Sequence, residues 1–150
     1  MNDRKLNLIL GWICFLISFI VYYLTAEPTV GFWDTGEYIT TSAKLQVGHP
    51  PGAPLYQMLG AIFSIFAFEK ENIGFIMNLM SGFASALAIS FMYWSIILIL
   101  KKITDTSEAS INKQILISGS ALVGSLAFAF TDTFWFSAVE TEVYAMATLI

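Results

Sequence analysis

The chain has 150 residues, of which 57% are apolar, 15% aromatic and 12% charged. Soluble domains carry about twice that charged fraction, so the composition points to a membrane protein. The single cysteine excludes an internal disulfide framework and a cysteine-based zinc site; the net charge of −4 at pH 7 says little by itself, and no basic-aromatic stripe for nucleic acid is present.

Residues 6–26 (LNLILGWICFLISFIVYYLTA) form an uncharged run of 21, enough to cross a ~30 Å hydrocarbon layer as a helix. Arg4 and Lys5 precede it, but the apolar run exceeds a signal-peptide core and "YYLTAEP" is a poor cleavage site, so a retained first span is expected. The next segment, 27–52, is polar and compact in its chemistry: "WDTGEY" and then "GHPPGAPLY", holding Asp34, Glu37, Lys44 and His49, the only histidine. A short helix is expected over about 35–47. The run 53–68 has only 16 uncharged residues, which leaves it ambiguous between a span and a helix lying in the membrane interface. Residues 73–100 give 28 uncharged positions, a span with tilt, and 114–131 give 18, a shorter third span. A further helix begins near 143.

Charge settles the ambiguous run. Lysine and arginine gather on the cytoplasmic side of membrane proteins. With 53–68 lying along the outer interface, Arg4, Lys5, Lys101, Lys102 and Lys113 share the cytoplasmic side. The expected fold is therefore an all-α, polytopic membrane protein, with WDTGE, GHPPG and "FWFSAVETEVY" facing one extracytoplasmic compartment. The chain stops eight uncharged residues into a new run, so it is expected to be the N-terminal part of a single, larger transmembrane domain.

Each motif has a plain structural reading. Asp34 and Glu37, at i and i+3, have the spacing of a capping box; Trp33 fits an aromatic belt; the prolines around His49 fit a hinge between helices. On one helix, Glu140 and Tyr144 would share a face and Glu142 would point elsewhere. Asn78, Ser81, Ser85 and Ser90 suit contacts between packed helices.

Taken together, a retained first helix, Asp-x-x-Glu in the first outer loop, GHPPGAPLY, and W-F-x-A-V-E-T-E-V-Y-A after the third span resemble a bacterial family of multi-pass proteins. That family is related to animal protein O-mannosyltransferases and is placed among GT-C glycosyltransferases. The resemblance implies a GT-C-like helical bundle in a bacterial cytoplasmic membrane, with interfacial helices in its first outer loop. It implies transfer of a hexose such as mannose from a polyprenyl-phosphate donor to an extracytoplasmic protein or glycan hydroxyl, with the reaction at the lipid surface. Asp34 and Glu37 are then the catalytic pair, Asp34 as base. His49 becomes a contact to the donor phosphate, with Lys44 the other cation of the loop. Glu142 and Tyr144, and with them Glu140, become substrate contacts. Whether a divalent metal joins Asp34 and Glu37 is left open. The rival classes are a transporter, against which the uncharged span interiors count, and a non-catalytic membrane scaffold.

Overall fold

The computed structural model describes residues 3–104 and 111–150. The described residues are helical, without a strand: α1 (Asp3–Thr25), α2 (Thr35–Ala43), α3 (Pro54–Ser64), α4 (Ile73–Ile103), α5 (Ile111–Ala129), α6 (Asp132–Val139) and α7 (Val143–Leu149), with a 3-10 turn, Lys70–Asn72, leading into α4. Two of these, α1 and α4, are long and apolar enough to cross a membrane. The expected third span qualifies only when α5 and α6, bent by 65° at their junction, count as one broken span.

Helix α4 packs against every other α-helix. It can do so because it is apolar all round and lines its buried side with small residues: Gly74, Ser81, Gly82, Ala84, Ser85, Ala88 and Ser90. Small side chains let helix backbones approach where lipid removes most of the hydrophobic drive for association. The closest approach is at Gly11 of α1, where an added Cβ would lie 2.2 Å from Nε1 of Trp94. Only glycine admits that indole.

Several buried polar groups in the seam between α1, α4 and α5 pair with one another, while the hydroxyls of Ser18 and Ser85 are buried without a partner among the described residues. Tyr93 Oη (3.2 Å) and Ser118 Oγ (3.0 Å) donate to Asn7 Oδ1, and Trp94 Nε1 donates to the Asn7 carbonyl. Ser90 Oγ donates to the Gly11 carbonyl. At the tip, Lys101 Nζ meets Asp3 Oδ2 at 2.6 Å, and Gln114 donates to the other Asp3 oxygen. Among the described residues the first helix thus includes Asp3, Arg4 and Lys5 ahead of the apolar run, and Asp3 finds these partners. Those contacts also fix the geometry of the bundle: the start of α1, the end of α4 and the start of α5 lie at one end. Residues 27–72 and the α5–α6–α7 junctions lie at the other.

At that second end, Asn78, fully buried in α4, acts as a pin. Its Nδ2 donates to the carbonyls of Glu27 (2.7 Å) and Thr29 (3.0 Å), and Thr141 Oγ1 donates to its Oδ1. The amide of Glu27 also donates to the Val139 carbonyl. The serine and asparagine positions of α4 are therefore packing contacts, as their sequence setting suggests, but Asn78 does more than pack. It binds the two polar segments that flank the bundle to each other.

Helix α3 covers residues 54–64, shorter than the apolar run 53–68 from which it forms. Pro54 occupies its first turn, where a missing N–H costs nothing. Tyr56, Gln57 and Gly60 face inward, while Leu55, Met58, Ile62 and Ile65 leave an exposed apolar stripe.

Candidate functional site: an acid–histidine cluster on the loop end

Thr35 sets the site's entrance. Its side chain is fully buried, and its hydroxyl donates to the Phe32 carbonyl at 2.8 Å, closing a tight turn. Trp33, inside that turn, adopts a left-handed φ of 59° and is 90% exposed. That conformation costs an aromatic residue about 1–2 kcal/mol. The turn starts α2 at Thr35 and leaves Asp34 in the N-cap position.

The capping-box geometry does not form. Asp34 makes no side-chain cap hydrogen bond, and Glu37 turns outward to the GHPP turn. Both carboxylate oxygens of Glu37 are taken by His49: the backbone amide donates to Oε1 at 2.6 Å, and ring Nδ1 pairs with Oε2 at 2.9 Å. An ionised carboxylate can only accept, so Nδ1 carries the proton. Nε2 is thereby presented to Asp34, whose Oδ2 lies 3.9 Å away. The physical reason for the missing box is competition. A charge-assisted bidentate contact to an imidazole and an amide outweighs a neutral cap on a helix start already open to water.

Gly48 makes that contact possible. An added Cβ there would lie 3.0 Å from Glu37 Oε1 and 2.9 Å from Gln57 Nε2. Gln57 in turn donates to Thr41 Oγ1 (2.9 Å), which donates to the Glu37 carbonyl (2.8 Å). The turn, α2 and α3 therefore hold Glu37 from three directions. The hydrogen bonds from His49 lower the Glu37 pKa, and the same partner raises that of His49, with Asp34 adding a smaller push.

The helix expected to carry Glu140 and Tyr144 on one face is broken. Glu140 closes α6 and Glu142 precedes α7, both in extended backbone. The two residues separate accordingly. Glu140 is 5% exposed and lies against Gly31, where an added Cβ would be 2.7 Å from its carboxyl carbon. Burial, then Glu27, raises its pKa. Glu142, half-buried, faces the cluster: burial and then Asp34 raise its pKa. Tyr144 is exposed on α7 and lines a groove of about 400 Å³ with Phe128, Phe134 and Thr148. Lys44 closes the far end of α2, about 15 Å from Asp34 at 1.5 Å per residue, and is not brought to the cluster.

Tyr38 is the residue that sequence reading passes over. It follows Asp34 by four positions, the spacing that puts two side chains on one helix face. Its ring lies 6.4 Å from that of His49 and 5.5 Å from that of Tyr56. Burial and then Glu142, Asp34 and Glu37 raise its phenol pKa.

A cation could find ligand atoms here, since one from each of Asp34, Glu37 and His49 fall within 4.8 Å of one another. Glu37 is already engaged with His49. It would serve as the outer carboxylate that orients a ligating imidazole, with Asp34 and Nε2 innermost.

The fold and site define an all-helical integral membrane protein with a half-exposed acid–histidine cluster at one end of its bundle. Residues 34–150 match the family described as the protein O-mannosyl-transferase TMEM260 N-terminal domain, and the chain belongs to that family. It is 27% identical over 133 residues to the protein O-mannosyl-transferase tmem260 of Dictyostelium discoideum, covering 88% of this chain and 14% of that one. It is 28% identical over 132 residues to the protein O-mannosyl-transferase TMEM260 of Mus musculus, covering 86% of this chain and 16% of that one. The chain thus spans about one seventh of the curated relatives it matches. No solved structure matches it.

Proposed function

We propose that this chain forms the acid-bearing part of a GT-C membrane glycosyltransferase that moves a hexose, mannose by its relatives' names, from a polyprenyl-phosphate donor to a protein hydroxyl. The observation that carries the reading is Asp34. Its carboxylate is exposed and free of any capping bond, and it sits beside a histidine that Glu37 holds in place. Attack by a hydroxyl on an anomeric carbon needs a base to take the proton as the bond forms, and Asp34 is the carboxylate free to do so. The departing phosphate needs a hydrogen-bonding or cationic partner, which His49 supplies at the cluster's rim as the imidazolium, donating from Nε2 while Nδ1 stays bonded to Glu37.

A lipid-anchored donor suits this placement. The cluster lies at the end of the bundle opposite Lys101 and Asp3, on loops that join membrane-crossing helices. The positive-inside rule assigns the lysine-bearing end to the cytoplasm and the cluster to the outside of a bacterial cytoplasmic membrane. Helix α3 then lies along the outer interface, its stripe of Leu55, Met58, Ile62 and Ile65 in lipid. Tyr144 and its groove flank the donor's path, and Glu140 supports the loop at Gly31 from behind.

The test is transfer by the full-length protein in proteoliposomes, supplied with radiolabelled hexose on a short polyprenyl phosphate and an acceptor peptide rich in serine and threonine. Label should enter the peptide from the lipid-linked donor. Label entering only from a nucleotide sugar would overturn the donor assignment.

A further inference from the structure

The cluster has a charge pattern that a phosphate alone does not explain. Asp34 and Glu37 face the one imidazole, and Glu142 adds a third negative charge felt by Asp34 and Tyr38, whereas a neutral polyol offers hydroxyl donors that carboxylates accept without repulsion. One further group stands among them. The Tyr38 hydroxyl makes no hydrogen bond to the described residues, yet its ring is fixed between His49 and Tyr56. Tyr38 packs against the buried cluster of Ile39, Tyr56, Met77 and Met80, and Val143 and Met146 of α7 pack against that same cluster. A rigid ring with an unpaired donor, surrounded by acceptors, is placed to read one oxygen of a ligand.

We propose that Tyr38 is a specificity-determining residue: its phenol donates a hydrogen bond to one hydroxyl of the transferred sugar, while Glu142 and Asp34 accept from the sugar or the acceptor around it. This rests on the transferase reading and adds to it a division of the donor. The sugar lies over Tyr38 and Glu142, and the phosphate lies at the outer side of His49.

The experiment uses the full-length protein, Tyr38→Phe and His49→Gln variants, and a series of polyprenyl-phosphate hexoses each lacking one hydroxyl. Tyr38→Phe keeps the ring that packs on His49 and Tyr56, so folding is retained; melting temperature checks it. The wild type should discriminate about 10-fold against one deoxy donor, and Tyr38→Phe should abolish that discrimination by raising KM for the complete sugar, the magnitude of one lost hydrogen bond. Sugar-free polyprenyl phosphate, used as an inhibitor, should bind Tyr38→Phe as it binds wild type and bind His49→Gln more weakly. Unchanged discrimination in Tyr38→Phe overturns the proposal, and so does weaker inhibition of that variant by sugar-free phosphate. Wild-type protein that transfers no hexose sinks the transferase reading, and this proposal with it; wild-type transfer without a Tyr38 effect sinks this proposal alone.

Discussion

The two ends of the bundle use the same polar vocabulary to opposite effect. At the Asp3 end, Asn7 serves Tyr93, Trp94 and Ser118, and Asp3 serves Lys101 and Gln114. At the Asp34 end, Glu37 is fully engaged by His49 while Asp34, Tyr38 and Glu142 retain open hydrogen-bonding capacity. Polar groups inside a membrane bundle are costly unless paired, which explains the first end. The second end lies among loops, where unpaired groups stay hydrated until a ligand displaces the water. At one end pairing holds the helices together; at the other a paired residue, Glu37, holds a histidine beside an unpaired acid.

Substitutions on the two sides should separate activity from stability. The largest effect on activity is expected for Asp34→Asn in the full-length protein: a fall of about 10²–10⁴ in transfer rate, the usual cost of removing a general base. Stability should hold, since the carboxylate makes no cap bond to lose. A variant that keeps more than about a third of wild-type transfer would break the comparison.

The converse is Gly11→Ala. Its new methyl meets Trp94, and overpacking of this kind costs about 1–3 kcal/mol. The melting temperature in detergent should fall, while transfer per folded molecule stays near wild type.

Gly48→Ala sharpens the comparison from within the site. The added methyl presses on Glu37 and Gln57, so the imidazole loses its orientation but Asp34 keeps its charge. Transfer should fall by about 10-fold, less than for Asp34→Asn, because misplacement weakens a positioned group without deleting it. A loss equal to that of Asp34→Asn would make His49 a partner in the chemistry itself.

The smallest effect concerns pH. His49 is raised above its ordinary 6.5, so its contribution to the folded state is complete below that value and disappears as pH rises through the higher, folded pKa. Glu37 is lowered below 4.5, so its contribution is complete above that value and disappears as pH falls through the lower one. The pair is therefore strongest between the two. NMR titration of the single histidine should show a midpoint above 6.5 that drops in Glu37→Gln; an unmoved midpoint would mean that the contact does not persist in solution.

Much of the helical architecture was legible because uncharged runs of 21 and 28 residues have one common solution in a bilayer. The nearness of Asp34, Glu37 and His49 was legible too, through a short loop stiffened by proline. The details of the candidate site were less so. The i, i+3 acids read as a capping box, and only the folded GHPP turn shows which partner Glu37 takes. The break at 140–142 has no glycine or proline to announce it. It forms where Thr141 is drawn into its hydrogen bond with Asn78, a contact across 63 positions. Tyr38 could have been found from its i+4 relation to Asp34, whereas the fit of Glu140 against Gly31 is a tertiary matter that no local pattern encodes.

The Asn78 pin also imposes an order on biosynthesis. Its partners leave the ribosome in sequence: the carbonyls of Glu27 and Thr29 first, the pin itself some fifty residues later, and Thr141 last. A nascent chain that has made its first helix and its acidic loop therefore has Asp34, Glu37 and His49 but not Glu142. Glu142 joins Asp34 and Tyr38 only after α4 and α5 are in place, so a half-made chain displays no assembled site to the lipids around it.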